Sequence, residues 1–207
     1  MIELFTANTP NGKKISIMLE EIKFDYKVTK VNITKGEQFE TKFRKISPFS
    51  KIPVILDHDD GTSLFESGAI LMYLGEKSGK FYPKKNKHLI NQWLMGQMAY
   101  VGPLLGQHHQ FHYYNPGRSQ WGEERYFKIA KSIYKDLDDR LGKKEFLAED
   151  YSIADIATFP WIARHDWHDI GLKSYKNLTR WYEVISKREA VKKGYDILKR
   201  NEEIPKP

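Results

Sequence analysis

Cysteine is absent from all 207 residues. Its absence excludes disulfides, thiolate metal sites and a thiol nucleophile belonging to the chain, so any thiol chemistry here needs a thiol supplied from outside. Long apolar runs are missing as well. No stretch approaches the ~18 residues of a membrane span, and Met1-Ile2-Glu3-Leu4-Phe5 leads into strand-like sequence without a signal-peptide pattern. A cytoplasmic protein with no membrane partner is therefore expected. Repeats and low-complexity segments are also lacking. The formal net charge is +7, but residues 1–80 hold 12 basic and 11 acidic side chains, and residues 81–207 hold 22 and 16. The basic residues alternate with acidic ones, as in Asp136-Leu137-Asp138-Asp139-Arg140, which does not make the basic stripe of a nucleic-acid surface.

What is present is enough for packed cores: 40% apolar and 14% aromatic residues over a length that suits two modest domains. The spacing predicts a strand at 2–6, a helix at 11–23 with Ile15, Met18, Leu19 and Ile22 on one face, a strand at 26–33 and a short helix at 40–46. Strands at 52–56 and 63–65 bracket the turn Asp57-His58-Asp59-Asp60-Gly61, and a helix follows over 66–77. This order gives an α/β domain over 1–80, with a parallel βαβ half and an added antiparallel hairpin. Residues 81–87 read as a polar linker, and 88–207 as an all-helical domain with helices near 88–112, 122–142, 153–168, 175–187 and 190–200.

Three short motifs carry chemistry. Thr9-Pro10-Asn11-Gly12 opens the first helix directly after the first strand. It reads as an ordinary capped helix start, and equally as a hydroxyl and an amide presented to an anion at a helix N-terminus. Lys51-Ile52-Pro53-Val54 places a proline at the entrance of a strand. It is either a plain loop proline or, if the Ile52–Pro53 bond is cis, a site where the Ile52 backbone pairs with an extended peptide. In Phe65-Glu66-Ser67-Gly68, Ser67 at a helix start suits a carboxylate and Glu66 an ammonium group, together an amino-acid head group. As a capping sequence alone it is unremarkable.

With Ser47-Pro48 and Leu64 to Ile70, these motifs resemble the glutathione transferase superfamily, and Thr9 to Lys14 resembles its nu class. The resemblance covers essentially the whole chain. It implies a thioredoxin-like glutathione-binding domain, a helical domain contributing the second-substrate cleft, and a homodimer formed through the helical domain. It also implies residue roles. Thr9 and Asn11 face the sulfur as the catalytic groups, Ile52 and Pro53 meet the cysteinyl unit, Glu66 and Ser67 hold the γ-glutamyl end, Gln38 lies near the glycyl end and Arg125 near a second glutathione. Phe49-Ser50 departs from the family's small polar residues at that loop. Phe5 and Thr6 stand where many transferases carry a catalytic tyrosine, so neither the tyrosine nor the cysteine mechanism is available.

The implied activity is glutathione-dependent disulfide reduction, with reduced or oxidised glutathione as the bound cosubstrate. The alternatives are conventional conjugation to small electrophiles and a non-catalytic regulatory protein on the same fold. Two further motifs stay outside the site. Ser152 and Asp155 form a capping box. His108, His109 and His112 have a spacing that could hold a metal, but no supporting carboxylate or thiolate accompanies them, and no metal is expected. Trp93, Trp161, Trp167 and Trp181 have the spacing of packing residues.

Overall fold

The computed structural model describes residues 1–198 and 200–207. They form two compact units, Met1–Tyr82 with Arg188–Glu203, and Pro83–Lys187 with Ile204–Pro207.

The first unit runs β1 (Ile2–Thr6), α1 (Pro10–Ile22), β2 (Tyr26–Lys30), a 3-10 turn (Glu37–Phe39), α2 (Thr41–Arg44), β3 (Val54–Asp57), β4 (Thr62–Phe65) and α3 (Ser67–Ser78). Its four strands lie in the order β2-β1-β3-β4, with β1 parallel to β2, β1 antiparallel to β3 and β3 antiparallel to β4. This is the expected βαβ half with its added hairpin. The register pairs Phe5 with Val54 and Val54 with Phe65. The segment after β1, the loop before β3 and the start of α3 after β4 therefore open on the same end of the sheet. Helix α1 starts where its side chains demand it: Thr9 caps it, Pro10 sits in the first turn, and Ile15, Met18, Leu19 and Ile22 are buried along one face.

The second unit contains α4 (Lys87–Gly96), α5 (Gly102–His108), α6 (Gln120–Leu141), α7 (Ile153–Ile162), α8 (His165–His168) and α9 (Lys176–Ser186). The single helix expected over 88–112 is interrupted by π-helical turns at Gln97–Val101 and His109–Tyr114. Pro103 accounts for the first of these. It has no N–H for the carbonyl of Ala99 and its ring crowds that carbonyl, so the turn widens. Helix α7 begins with the expected capping box. Asp155 accepts from the Ser152 N–H at 3.0 Å, and it also accepts from the Leu147 N–H at 3.0 Å and from Trp181 Nε1 at 2.8 Å. Trp181 is fully buried and Trp161 nearly so.

The division with all of 88–207 in the helical domain needs one correction. Residues Arg188–Glu203, including α10 (Glu189–Tyr195), belong to the first unit. They are held there by α1. Ser16 Oγ donates to the Gly194 carbonyl at 2.5 Å, Lys13 Nζ lies 3.3 Å from the Tyr195 ring centroid, and Arg188 makes two hydrogen bonds to Glu21 at 2.6 and 2.8 Å. Helical period reveals that a segment is a helix, but not which sheet it returns to.

Candidate functional site

Where β1 ends, the Thr9 N–H donates to the Ala7 carbonyl at 2.8 Å, and the chain turns into α1. Thr9 Oγ1 accepts from the Gly12 N–H at 3.1 Å. That cap uses an oxygen lone pair and leaves the hydroxyl hydrogen to donate elsewhere. A Cβ at Gly12 would lie 2.3 Å from Thr6 Oγ1 and 2.5 Å from the Ala7 carbonyl oxygen, so glycine is what lets this turn close. Asn11 stands half-buried on the first turn of α1.

At the same end of the sheet, Ser67 is buried at the start of α3, and Glu66 precedes it, exposed, with φ 69° and ψ 114°. A non-glycine residue in that region costs on the order of 1–3 kcal/mol, and such strain concentrates at functional sites. Behind Ser67 lies Lys14, 1% exposed, its Nζ 3.3 Å from Ser67 Oγ. Burial holds the Lys14 ammonium's pKa well below the ordinary lysine value, and the Glu66 charge opposes that effect.

The third part of the site is the loop before β3. Ser47 ties it down by donating to the Lys51 carbonyl at 2.7 Å and accepting from the Lys51 N–H at 3.0 Å. The Ile52–Pro53 peptide bond is cis, and Ile52 stands ahead of the ladder, whose pairing begins at Val54. Ile52 packs against Val31, Phe43 and Val54, while Phe49 is exposed and meets Phe65 edge-on. Gln38, in the 3-10 turn, donates through Nε2 to the Ile33 carbonyl at 3.2 Å, and its buried Oε1 has no hydrogen-bond partner.

The structure thus gathers Thr9, Asn11, Ile52, Pro53, Glu66 and Ser67 at one end of one sheet, with Gln38 in the segment that follows β2. Arg125 belongs to the second unit. There it lies on α6, its guanidinium 5.4 Å from the Trp121 ring, in a surface groove of about 600 Å³ with Tyr100, Glu124 and Lys128. The histidine motif makes an aromatic stack. The His109 and His168 rings lie 4.7 Å apart and those of His108 and His112 4.9 Å apart, with His108 Nε2 2.9 Å from the His168 carbonyl and the Tyr134 hydroxyl 2.7 Å from His168 Nδ1.

Motif reading missed two features of the first unit. Lys14 lies four residues before Met18 and eight before Ile22, on the apolar face of α1, and that spacing was the available signal that a cation is buried. Glu202 accepts from Asn8 Nδ2 at 2.7 Å and from Lys13 Nζ at 2.5 Å, so the chain's last residues hold the turn that carries Thr9. Nothing local in the sequence marks that contact.

A β2-β1-β3-β4 sheet with a cis-proline ahead of β3, joined to a helical unit, defines a thioredoxin-like domain of the kind that binds small thiols. The N-terminal domain of glutathione S-transferase matches residues 2–76 and its C-terminal domain residues 118–189. The chain is 43% identical to the disulfide-bond oxidoreductase YfcG of Escherichia coli K12, over 96% of this chain and 95% of that protein. It is also similar to a solved glutathione transferase of Pseudomonas putida with one glutathione disulfide bound per subunit, with TM-score 0.89 and 37% identity over 95% of this chain and 91% of that one. A third likeness is to a glutathione transferase of Burkholderia graminis with two glutathione molecules per subunit, with TM-score 0.90 and 36% identity over 96% and 89% of the two chains. The chain belongs to the glutathione S-transferase family.

Proposed function

We propose that this chain reduces disulfide bonds with glutathione as thiol donor, conjugation to small electrophiles being a weaker use of the same site. The observation that carries the reading is a meeting of groups in a chain without cysteine: the capped N-terminus of α1 and the Glu66–Ser67 start of α3 open on one end of one sheet. Similarity to an oxidoreductase of disulfides, and to structures holding glutathione disulfide or two glutathiones, supports it.

Glu66 takes the γ-glutamyl ammonium, and Ser67 with the first N–H groups of α3 takes its carboxylate. The Ile52 backbone beside Pro53 pairs with the cysteinyl unit, and the unpartnered Gln38 Oε1 accepts an N–H near the glycyl end. Thr9 Oγ–H and the Asn11 amide donate to the sulfur, where the α1 dipole favours thiolate over thiol. One glutathione thiolate attacks a substrate sulfur, forming a mixed disulfide and releasing one substrate thiolate. A second glutathione thiolate attacks the glutathione sulfur of that mixed disulfide and expels the other substrate thiolate. Two glutathiones and one disulfide thus become glutathione disulfide and two thiols, and the protein acts by orientation and charge stabilisation.

Disulfide turnover with glutathione tests these roles. Thr9→Ala and Asn11→Ala are each expected to lower kcat/KM by on the order of 10–100-fold, less than a central oxyanion donor because sulfur spreads its charge. Thr9→Ser, which keeps the hydroxyl, should stay near the parent. Parent-like rates in both alanine variants remove the assigned roles, and a parent that reduces no disulfide removes the activity. The nu class, a cytoplasmic location and a homodimer belong to the same proposal. Light scattering at micromolar concentration is expected to give twice the chain mass, and a monomer mass would overturn the dimer.

A further inference from the structure

From the far end of the chain, Glu202 reaches the turn between β1 and α1. One of its carboxylate oxygens accepts from Asn8 Nδ2 at 2.7 Å and the other from Lys13 Nζ at 2.5 Å. Asn8 stands just ahead of the cap and Lys13 just past Gly12, so the two bonds bracket Thr9–Gly12. We infer that Glu202 is a positioning residue of the thiolate site: its carboxylate clasps the turn on both sides and holds Thr9 and Asn11 where they face the sulfur. The inference rests on the glutathione-site reading and deepens it.

The bonds inside the turn fix its shape but not its place. The Thr9 N–H donates to the Ala7 carbonyl, the Gly12 N–H to Thr9 Oγ1 and the Lys13 N–H to the Thr9 carbonyl at 3.0 Å. The Asn8 side chain takes part in none of them, and its Nδ2 is held by Glu202. Lys13 is 1% exposed, and a buried ammonium demands a charged acceptor, which draws Glu202 to this place. The loop that presents Glu202 is itself built. Asp196 accepts the N–H groups of Arg200 at 2.7 Å, of Asn201 at 3.0 Å and of Glu202, and Asn201 takes the left-handed φ of 58° that asparagine tolerates. Donors displaced by about 1 Å from a developing charge can lose much of the rate they support.

Position and charge act on a bound thiolate in opposite directions. Removing a nearby carboxylate favours the thiolate, so a thiol that ionises less readily without Glu202 reports displaced donors. The other charges on elements packed against α1 are unchanged by that removal. Arg188 pairs with Glu21, Glu189 with Lys192, Lys77 with Asp57 and Glu3 with Lys27, and Glu66 acts on Lys14.

The test follows the ultraviolet absorbance of glutathione thiolate bound to the full chain against pH, with kcat and KM for disulfide reduction measured beside it. In the parent the thiol is expected to ionise at lower pH than in free glutathione. Glu202→Ala should raise that midpoint by about one pH unit and lower kcat about tenfold. KM for glutathione should stay within about twofold, because Glu66 and Ser67 head a different helix. Asn8→Ala keeps the Lys13–Glu202 pair and should move the midpoint the same way. A parent in which bound glutathione ionises as it does free defeats the glutathione-site reading and this inference with it. A parent with a lowered midpoint that stays or falls further in Glu202→Ala, or a loss carried by KM alone, overturns the inference alone. Should Glu202→Ala not fold, Asn8→Ala decides by the same criterion.

Discussion

Gly194→Ala is expected to destabilise the protein by about 3 kcal/mol or more, at or above the upper end for an overpacked site. The added Cβ would lie 2.4 Å from Ile17 Cα, 2.5 Å from Ile17 N and 2.8 Å from Ser16 C. All three are main-chain atoms of α1, so no side chain can swing aside, and the two helices must separate. Separation would break the Ser16–Gly194 hydrogen bond and loosen Tyr195 from Lys13. Because α1, capped by Thr9, also carries Asn11, glutathione affinity should fall together with stability. Urea unfolding of parent and variant gives the measurement, and a midpoint that does not move would show that α10 does not hold α1 in this way.

The second large effect is acid lability of the helical unit. His108, His109 and His168 are buried, and burial lowers the pKa of all three, that of His109 to about 3. Their Nδ1, Nε2 and Nε2 atoms, in that order, have no hydrogen-bond partner. Arg164 adds positive charge near His109 and His168, while at His108 the hydrogen bond to the His168 carbonyl and then the exposed Asp169 oppose the lowering. The folded state therefore binds fewer protons than the unfolded chain once pH drops below about 6.5, and stability has a positive slope with pH there. The contribution is complete above the unfolded value and is lost on acidification, His109 continuing down to about 3. Each histidine adds up to about 1.4 kcal/mol per pH unit, so the three together reach about 4. Urea midpoints at about pH 7.5 and pH 5.5 should differ accordingly, and His109→Gln should flatten the dependence. Equal midpoints at the two pH values would mean that the stack admits protons without loss.

The helix starts were readable because they depend on neighbours in sequence. Thr9 capping α1 with Pro10 behind it, Ser152 and Asp155 boxing α7, and Glu66–Ser67 heading α3 each involve groups within a few residues of one another. The missing cysteine settled just as directly that a thiol must come from outside. The long helix near 88–112 was legible as helix but not in its π-helical turns, since periodicity averages over a local widening.

What only the tertiary structure decided are the partners of groups that the sequence shows alone. Lys14 meets Ser67 across 53 residues, Ser16 meets Gly194 across 178, and Lys13 meets Glu202 across 189. A cap forms from bond geometry within one turn, whereas these contacts exist only after the sheet and helices have packed and fixed which surfaces face each other. For that reason Lys14 read as one more charge in a basic chain, and only the fold made it a buried cation beside Ser67.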